Sequence, residues 1–180
     1  GANTMPTMHL KELVGIAPEE YSTQDLNNAE TIGLDVYSSV GGAPMVIAAP
    51  GNAFTDERYI LMAFEGIGQT RLFNFLKQSG TRIPQTTAGH DALLTEGERH
   101  TDVFVRNGSI APGEWTSPDY FGDRDTFFRN IRENGYFWRF VPLSEQSQAS
   151  REARESSLLQ VAFKLAGAIH SADVLVTFNR

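Results

Sequence analysis

The sequence predicts an α+β fold, a mixed or antiparallel sheet with about three helices packed on it and β-strands towards the C-terminus. Three observations lead there. A glycine-split pair of apolar runs lies at 34–48, two stretches of three-to-four apolar spacing follow between Asp56 and Asn107, and alternating apolar residues return after Gly135. Helices that come after a hairpin and before a cluster of strands do not alternate with strands one for one, as a parallel doubly wound sheet requires.

The first element is a short helix: Ser22 and Asp25 stand three apart, as a reciprocal N-terminal cap prefers, and Gly33 supplies the stop. Residues 34–40 read as a strand, Gly41 and Gly42 as a two-residue turn able to take positive φ, and 45–48 as the return. Between Asp56 and Gly80, Leu61, Phe64, Leu72, Phe75 and Leu76 keep helical spacing, with Gly68 in the gap of the stripe. Pro84 ends the next connection. Thr86 or Thr87 caps a further helix whose inner face carries Leu93, Gly97, His100 and Phe104, and Asn107-Gly108 closes it.

Residues 109–125 hold Pro112, Gly113, Pro118 and Gly122 among aromatic residues, which predicts an ordered, irregular connection with a short strand near Trp115. Residues 135–143 are rich in aromatic and β-branched side chains and predict a strand, followed by a polar stretch at 144–157. Leu159, Val161, Phe163 and Leu165 alternate as a strand does; Leu158, Leu159, Ala162, Leu165 and Ala166 also fit a helix face, and strand is preferred. Val174, Val176 and Phe178 predict a last strand. No repeat or low-complexity tract points to a solenoid or coiled coil.

A chain of 180 residues suits one ordinary domain, and 1–180 is read as a single one. At that length roughly 70% of the unfolded surface can be buried, so a core needs no disulfide or metal. The sequence contains no Cys, which excludes a disulfide scaffold, a thiol nucleophile and cysteine-ligated metal sites. Fifteen basic against twenty-two acidic residues give a net charge of -7, which opposes nucleic acid and anionic membranes as partners. The uncharged stretch 36–53 is broken by Gly41, Gly42, Pro44, Pro50 and Gly51 and reads as turns and strands rather than a membrane span. The chain starts without Met and without the plan of a signal peptide, and it reads as a piece of something longer.

Candidate chemistry is sparse. His9, His90, His100 and His170 lack the spacing that aims two imidazoles at one metal from a helix. His100 sits on an apolar stripe, where a hydrogen-bonded core histidine is the usual occupant. His90-Asp91 could be a base and its orienting acid, but adjacent helical residues point apart, and capping and a solvated surface explain them more simply. Asp119, Asp123 and Asp125 lack the spacing and closing Glu of a calcium loop. Glu96 and Glu98 could be a carboxylate pair for glycoside hydrolysis, with an exposed helix face as the default. Gly66-Ile67-Gly68 is too short to cradle phosphate and suits a close helix contact. No Gly-x-Ser-x-Gly elbow is present. Tyr136, Phe137, Trp138 and Phe140, with Arg139 among them, could stack bases, although a core strand has the same composition.

Taken in order, several segments resemble the C-terminal half of the tail sheath-like proteins of myoviruses and prophages, the structural tubes of contractile tails. They are the entry Leu10-Lys11-Glu12-Leu13-Val14-Gly15-Ile16-Ala17-Pro18, a helix and then Asp35-Val36-Tyr37 with its glycine-bearing hairpin, and a long helix ending near Leu76. Arg82-Ile83-Pro84-Gln85-Thr86, Gly89 opening another helix, and Asn107-Gly108-Ser109-Ile110-Ala111-Pro112-Gly113 follow. Gly135-Tyr136-Phe137-Trp138, Gln146-Ser147 with Arg151 and Arg154, and Ala166-Gly167-Ala168-Ile169-His170 before Phe178-Asn179-Arg180 complete the series. The resemblance spans nearly the whole chain and rests on order and spacing. Sheath proteins of this kind are much longer, so the chain would be the C-terminal inner, assembly-forming domain.

The resemblance implies a self-assembling structural subunit of a contractile tail sheath, with no catalytic residues, no cofactor and no metal. In such sheaths terminal extensions of one subunit add strands to sheets of its neighbours, main-chain bonds giving affinity and alternating side chains register. The implied connector is 173–180, with Val174, Val176, Phe178 and Arg180; pairing within its own chain is equally compatible with the sequence. Arg151 and Arg154, with Asp123 and Asp125, would add modest subunit contacts. The implied partners are copies of itself in a helical sheath and a tail tube protein, with no nucleic acid and no membrane, in a virion tail assembled in the host cytoplasm. Two rivals are a small hydrolase using His90-Asp91 or the acid pair, and a baseplate or adhesion module binding through the aromatic loop around Trp115 and Tyr120.

Overall fold

The computed structural model describes residues 5–175 and 177. Its elements are α1 (Thr23–Thr31), β1 (Val36–Val40), β2 (Ala43–Ile47), α2 (Thr55–Gln78), α3 (Thr87–Arg106), α4 (Arg124–Asn134), β3 (Tyr136–Phe140), a 3-10 turn (Leu143–Glu145), α5 (Gln148–Glu152) and β4 (Leu159–Phe163). The fold is α+β, with two antiparallel two-stranded sheets, β1–β2 and β3–β4. Two compact units are present: Pro6–Tyr59 with the described residues from 167 onward, and Ile60–Ala166 with Met5. Among the described residues no helix is long and apolar enough to cross a membrane.

In the smaller unit, α1 opens on the expected reciprocal cap: the Ser22 hydroxyl accepts from Asp25 N–H, and the Asp25 carboxylate accepts from Ser22 N–H. Gly33 ends it at φ 71°, and a Cβ there would lie 2.6 Å from Gly51 Cα, so two backbones meet where only glycine fits. The β1–β2 turn takes φ 60° at Gly41 and 83° at Gly42, the pair of left-handed residues that a twisted two-residue hairpin needs. Both outer edges of this hairpin are partly occupied. Leu10 donates to Val46 O at 2.8 Å and Val46 donates to Lys11 O at 3.0 Å on one side; Glu19 donates to Tyr37 O and accepts from Ser39 N–H on the other. Ser38 is fully buried, and its hydroxyl donates to Glu19 O at 3.0 Å.

In the larger unit, the stripe of α2 meets α3. The Phe64 ring lies 4.6 Å from His100, 5.1 Å from Phe104 and 4.5 Å from Phe163, in a core shared with Ile60 and Ile110. Gly68 makes the approach possible, because a Cβ there would stand 3.0 Å from His100 Nε2. Gly97 plays the same part for β3, with the Trp138 ring 3.1 Å from where its Cβ would be. Trp138 Nε1–H donates to Thr101 at 2.8 Å, and Thr101 donates to Gly97 O, so the indole is satisfied as well as packed. Thr86, rather than Thr87, caps α3.

Several elements differ from the sequence-based expectation. Residues 126–134, for which the sequence predicts no element, form most of α4, with Asp123 as its cap and Gly135 left-handed at its end. Phe127 and Ile131, four apart, are both 0% exposed and form a second core with Ala162. Trp115 is not in a strand. The polar stretch 144–157 is tied down by tertiary bonds: Gln85 Nε2–H donates to Glu155 O at 2.8 Å and Ser157 Oγ–H to Val141 O at 2.6 Å. The last expected strand is corrected over its described part, since 173–175 carry no strand; Val176, Phe178 and Arg180 lie outside the described residues.

Candidate functional site

A backbone edge, rather than a cleft of reactive side chains, is the distinctive surface of the larger unit. β3 and β4 pair with Tyr136 opposite Phe163 and Phe140 opposite Leu159. Beyond the two ends of the ladder, Lys164 N–H donates to Gly135 O at 2.8 Å and Val141 N–H to Leu158 O at 2.9 Å. In an antiparallel pair, hydrogen-bonded and non-bonded positions alternate, so residues 158, 160, 162 and 164 point their N–H and C=O groups at β3. Leu159, Val161 and Phe163 therefore turn theirs away, and no partner for these groups occurs among the described residues. The extension past β4 follows the same phase: Ala111 donates to Lys164 O and Ala166 to Ser109 O, leaving Leu165 outward.

Beside this edge runs a largely apolar groove of about 510 Å³, lined by Leu61, Trp115, Tyr120 and residues 160–163. The loop that forms one wall is held in shape by Trp115 Nε1–H donating to Asp119 O at 2.8 Å and by Trp115 packing edge-on against Phe127 at 5.4 Å. The outer edge of β3 also lacks backbone partners among the described residues, but the groove follows β4. In the smaller unit the Leu10–Lys11 and Glu19 contacts blunt the hairpin's edges in the way that soluble proteins protect strand edges. Among the described residues β4 carries no such cover, and an uncovered edge with an apolar groove is a template for an added strand.

Of the candidate binding and metal-ligating residues singled out from sequence, Trp115, Asp119 and Tyr120 reach this groove. Val174 is 83% exposed and the neighbouring Leu175 93%, and neither lies in a strand. Arg151 is exposed, and its guanidinium donates to Leu143 O at 2.5 Å. Arg154 is exposed with φ 58°, an unusual left-handed backbone for a residue with a side chain, beside a small pocket that includes His90.

The histidine and carboxylate candidates are not brought together. His90 is corrected from a surface residue to a buried tether, 2% exposed; its Nδ1–H donates to Thr86 O and its Nε2 accepts from Ser157 N–H, both at 2.9 Å. Neither nitrogen is left for Asp91. His100 is the core histidine expected, with Nε2–H donating to Phe64 O at 2.8 Å, and burial lowers its pKa below the usual histidine range. Glu96 binds Arg71 at 2.5 Å and Arg99 at 3.4 Å, and the bond to Arg71 holds its carboxyl low. Glu98 is raised by burial and then by Asp102. Two residues apart on a helix, the acids lie on opposite faces. Asp123 is spent as the α4 cap, accepting from Thr126 N–H at 2.9 Å. No group of three metal-ligating side chains occurs among the described residues. The aromatic run of β3 packs inward, Trp138 on Gly97 and Phe137 near Phe127.

Comparison with known proteins gives these features a setting. A family model described as E217 tail sheath protein gp31-like, C-terminal domain, matches residues 55–178. Among solved structures the chain is similar in fold to one chain of the cryo-EM structure of the anti-feeding prophage (AFP) baseplate, six-fold symmetrised, with a TM-score of 0.64 and 13% identity. The match covers 96% of this chain and 44% of that one, so the chain spans less than half of that relative's length. No curated protein sequence matches. With the family model covering well over half of its residues, the chain belongs to the E217 tail sheath protein gp31-like C-terminal domain family and is a structural component of a phage-type tail.

Proposed function

We propose that this chain is the inner, assembly-forming region of a longer contractile-sheath subunit, and that it joins copies of itself by strand addition, with the outer edge of β4 as acceptor and 173–180 as donor. The observation that carries this is an edge uncovered among the described residues: Leu159, Val161 and Phe163 present outward backbone groups beside an apolar groove. A donor strand laid there gains two hydrogen bonds at every second residue, one through N–H and one through C=O, and buries alternate side chains against Trp115, Tyr120 and Leu61. Val174 and Leu175 are exposed apolar residues in the supposed donor, free to enter the groove when the segment pairs.

In this reading the neighbours are further copies in a helical sheath around a tail tube, within the virion tail after assembly in the host cytoplasm, and no residue performs a reaction. The test uses the full-length parent under negative-stain electron microscopy. Regular tubes or rings are expected, and removal of residues 174–180 should abolish them while leaving the far-ultraviolet circular dichroism of the subunit unchanged. A parent that stays monomeric over a wide concentration range, or a truncated one that assembles normally, sinks the proposal.

A further inference from the structure

The supposed donor segment leaves the protein through a single fixed point. Of residues 166–175, His170 alone is not exposed. Its ring stacks on His9, with centroids 4.3 Å apart and planes 18° from parallel, and meets Phe54 edge-on at 4.6 Å. His170 Nε2 is buried and has no hydrogen-bond partner among the described residues, so packing holds this ring in place. His9 is itself fixed: its Nδ1 accepts from the Ala48 N–H at 3.1 Å, just after β2.

We propose that the seat formed by His9 and Phe54 is an acid-released latch that holds the C-terminal segment at neutral pH and frees it when His9 takes up a proton. The geometry supplies the reason. Because Ala48 N–H is a donor, His9 Nδ1 must present its lone pair, which fixes the neutral ring with its proton on Nε2. A proton added at Nδ1 sets two donors against each other and places a cation on the face of a second imidazole. The other charged groups near His9 are Asp35 and Asp56. A hydrogen bond from His9 to the His170 backbone, and then these two carboxylates, favour the proton, but Asp35 already accepts from Ala49 N–H and from the Thr55 hydroxyl. Burial, and next the His170 ring, outweigh them and lower the His9 pKa from 6.5.

The sign follows from that lowering. A histidine that is harder to protonate when seated stabilises the seated state fully above 6.5, and this contribution is lost as pH falls from there through the lowered value. With 166–169 and 171–175 exposed, no other described contact of comparable burial replaces the one at His170. The biological consequence, a connector withheld at neutral pH and offered in acid, rests on the strand-addition reading; the latch itself is a property of the single subunit.

The sequence has no Cys, so Ala172→Cys creates a unique site for a nitroxide whose line shape reports segment mobility independently of assembly. At subunit concentrations below assembly, the slow component is expected to dominate at pH about 7.5 and the mobile component to rise several-fold at about 5.5. His170→Ala should be mobile at both values. His9→Phe, which keeps a flat ring, and His9→Gln, which keeps an acceptor for Ala48, should each give spectra that do not change with pH. A parent line shape that is the same at both pH values, or an acid response that survives in both His9 variants, overturns the latch. Unchanged assembly after removal of 174–180 would instead sink the strand-addition reading and leave the latch standing.

Discussion

Proline scanning along β4 separates its two edges. In Val161→Pro the lost N–H points away from β3, so the β3–β4 ladder keeps all its bonds, whereas in Ala162→Pro the lost N–H is the one facing Phe137. The second change removes a net contribution of about 1 kcal/mol and strands a carbonyl at a cost of about 1–3 kcal/mol, giving roughly 2–4 kcal/mol in all. Ala162 is 8% exposed and packs with Phe127 and Ile131, so the new ring also has little room. Val161 contributes only a partly buried flank to the Phe64 cluster, and its replacement should cost the fold about 1 kcal/mol.

Assembly should respond in a different order from stability. Val161→Pro deletes one donor from the middle of the proposed acceptor edge and places a ring where an incoming backbone would lie, so each contact should weaken by about fivefold or more. Urea denaturation of the chain and sedimentation of the full-length parent read the two effects separately. The expected pattern is a nearly normal unfolding midpoint with poor assembly for Val161→Pro, and a strongly lowered midpoint for Ala162→Pro. Equal destabilisation by both variants would show that the phase assigned to β4 is wrong. Normal assembly of the Val161 variant would show that this edge accepts nothing.

Three further outcomes test the core. His90→Ala leaves the Ser157 N–H without its acceptor in a site where Ser157 is 3% exposed, and chemical denaturation should show a loss of about 2–4 kcal/mol. Gly89→Ala should destabilise despite a helix-propensity gain of up to about 1 kcal/mol, because its Cβ would lie 1.9 Å from Pro84 O; a thermal midpoint at or above the parent's refutes the close approach. His100 has its pKa lowered by burial, so its contribution is complete above 6.5 and declines as pH falls below it; His100→Gln should flatten that acid limb of the stability profile, and an unchanged slope assigns the limb to other groups.

Local chemistry made some elements legible. Ser22 with Asp25, the Gly41-Gly42 turn and the alternation at Leu159, Val161 and Phe163 each encode their geometry within a few residues, and each appears in the structure. The order of segments across the chain also carried the family resemblance. What escaped was set by distant partners. α4 has a cap at Asp123, two core residues four apart and a left-handed Gly135, yet the neighbouring Pro, Gly and Asp residues gave 109–125 the character of a loop that obscured its start. His90 looked like a surface residue beside Asp91 because its acceptor role depends on Ser157, sixty-seven residues away.

The candidate site was less visible for a deeper reason. A strand's side-chain pattern states which face is buried, but says nothing about which edge has a neighbour, because backbone N–H and C=O groups are common to every sequence. The two strand pairs here show this directly. Val46 and Tyr37 have outward backbone groups like those of Val161 and Phe163, and nothing in their own residue types distinguishes them; the difference is that Leu10, Lys11 and Glu19 return to cover the first pair. Gly15, at φ 79° with open space around it, marks one turn along that covering segment. A cover made of an irregular segment leaves no hydrophobic period to read, so an edge that is protected and one that is open have the same signature until the chain is folded. The C-terminal segment is the converse case. Its apolar residues predict a strand from alternation alone, yet alternation cannot supply a neighbouring edge, and 173–175 are exposed chain outside any strand.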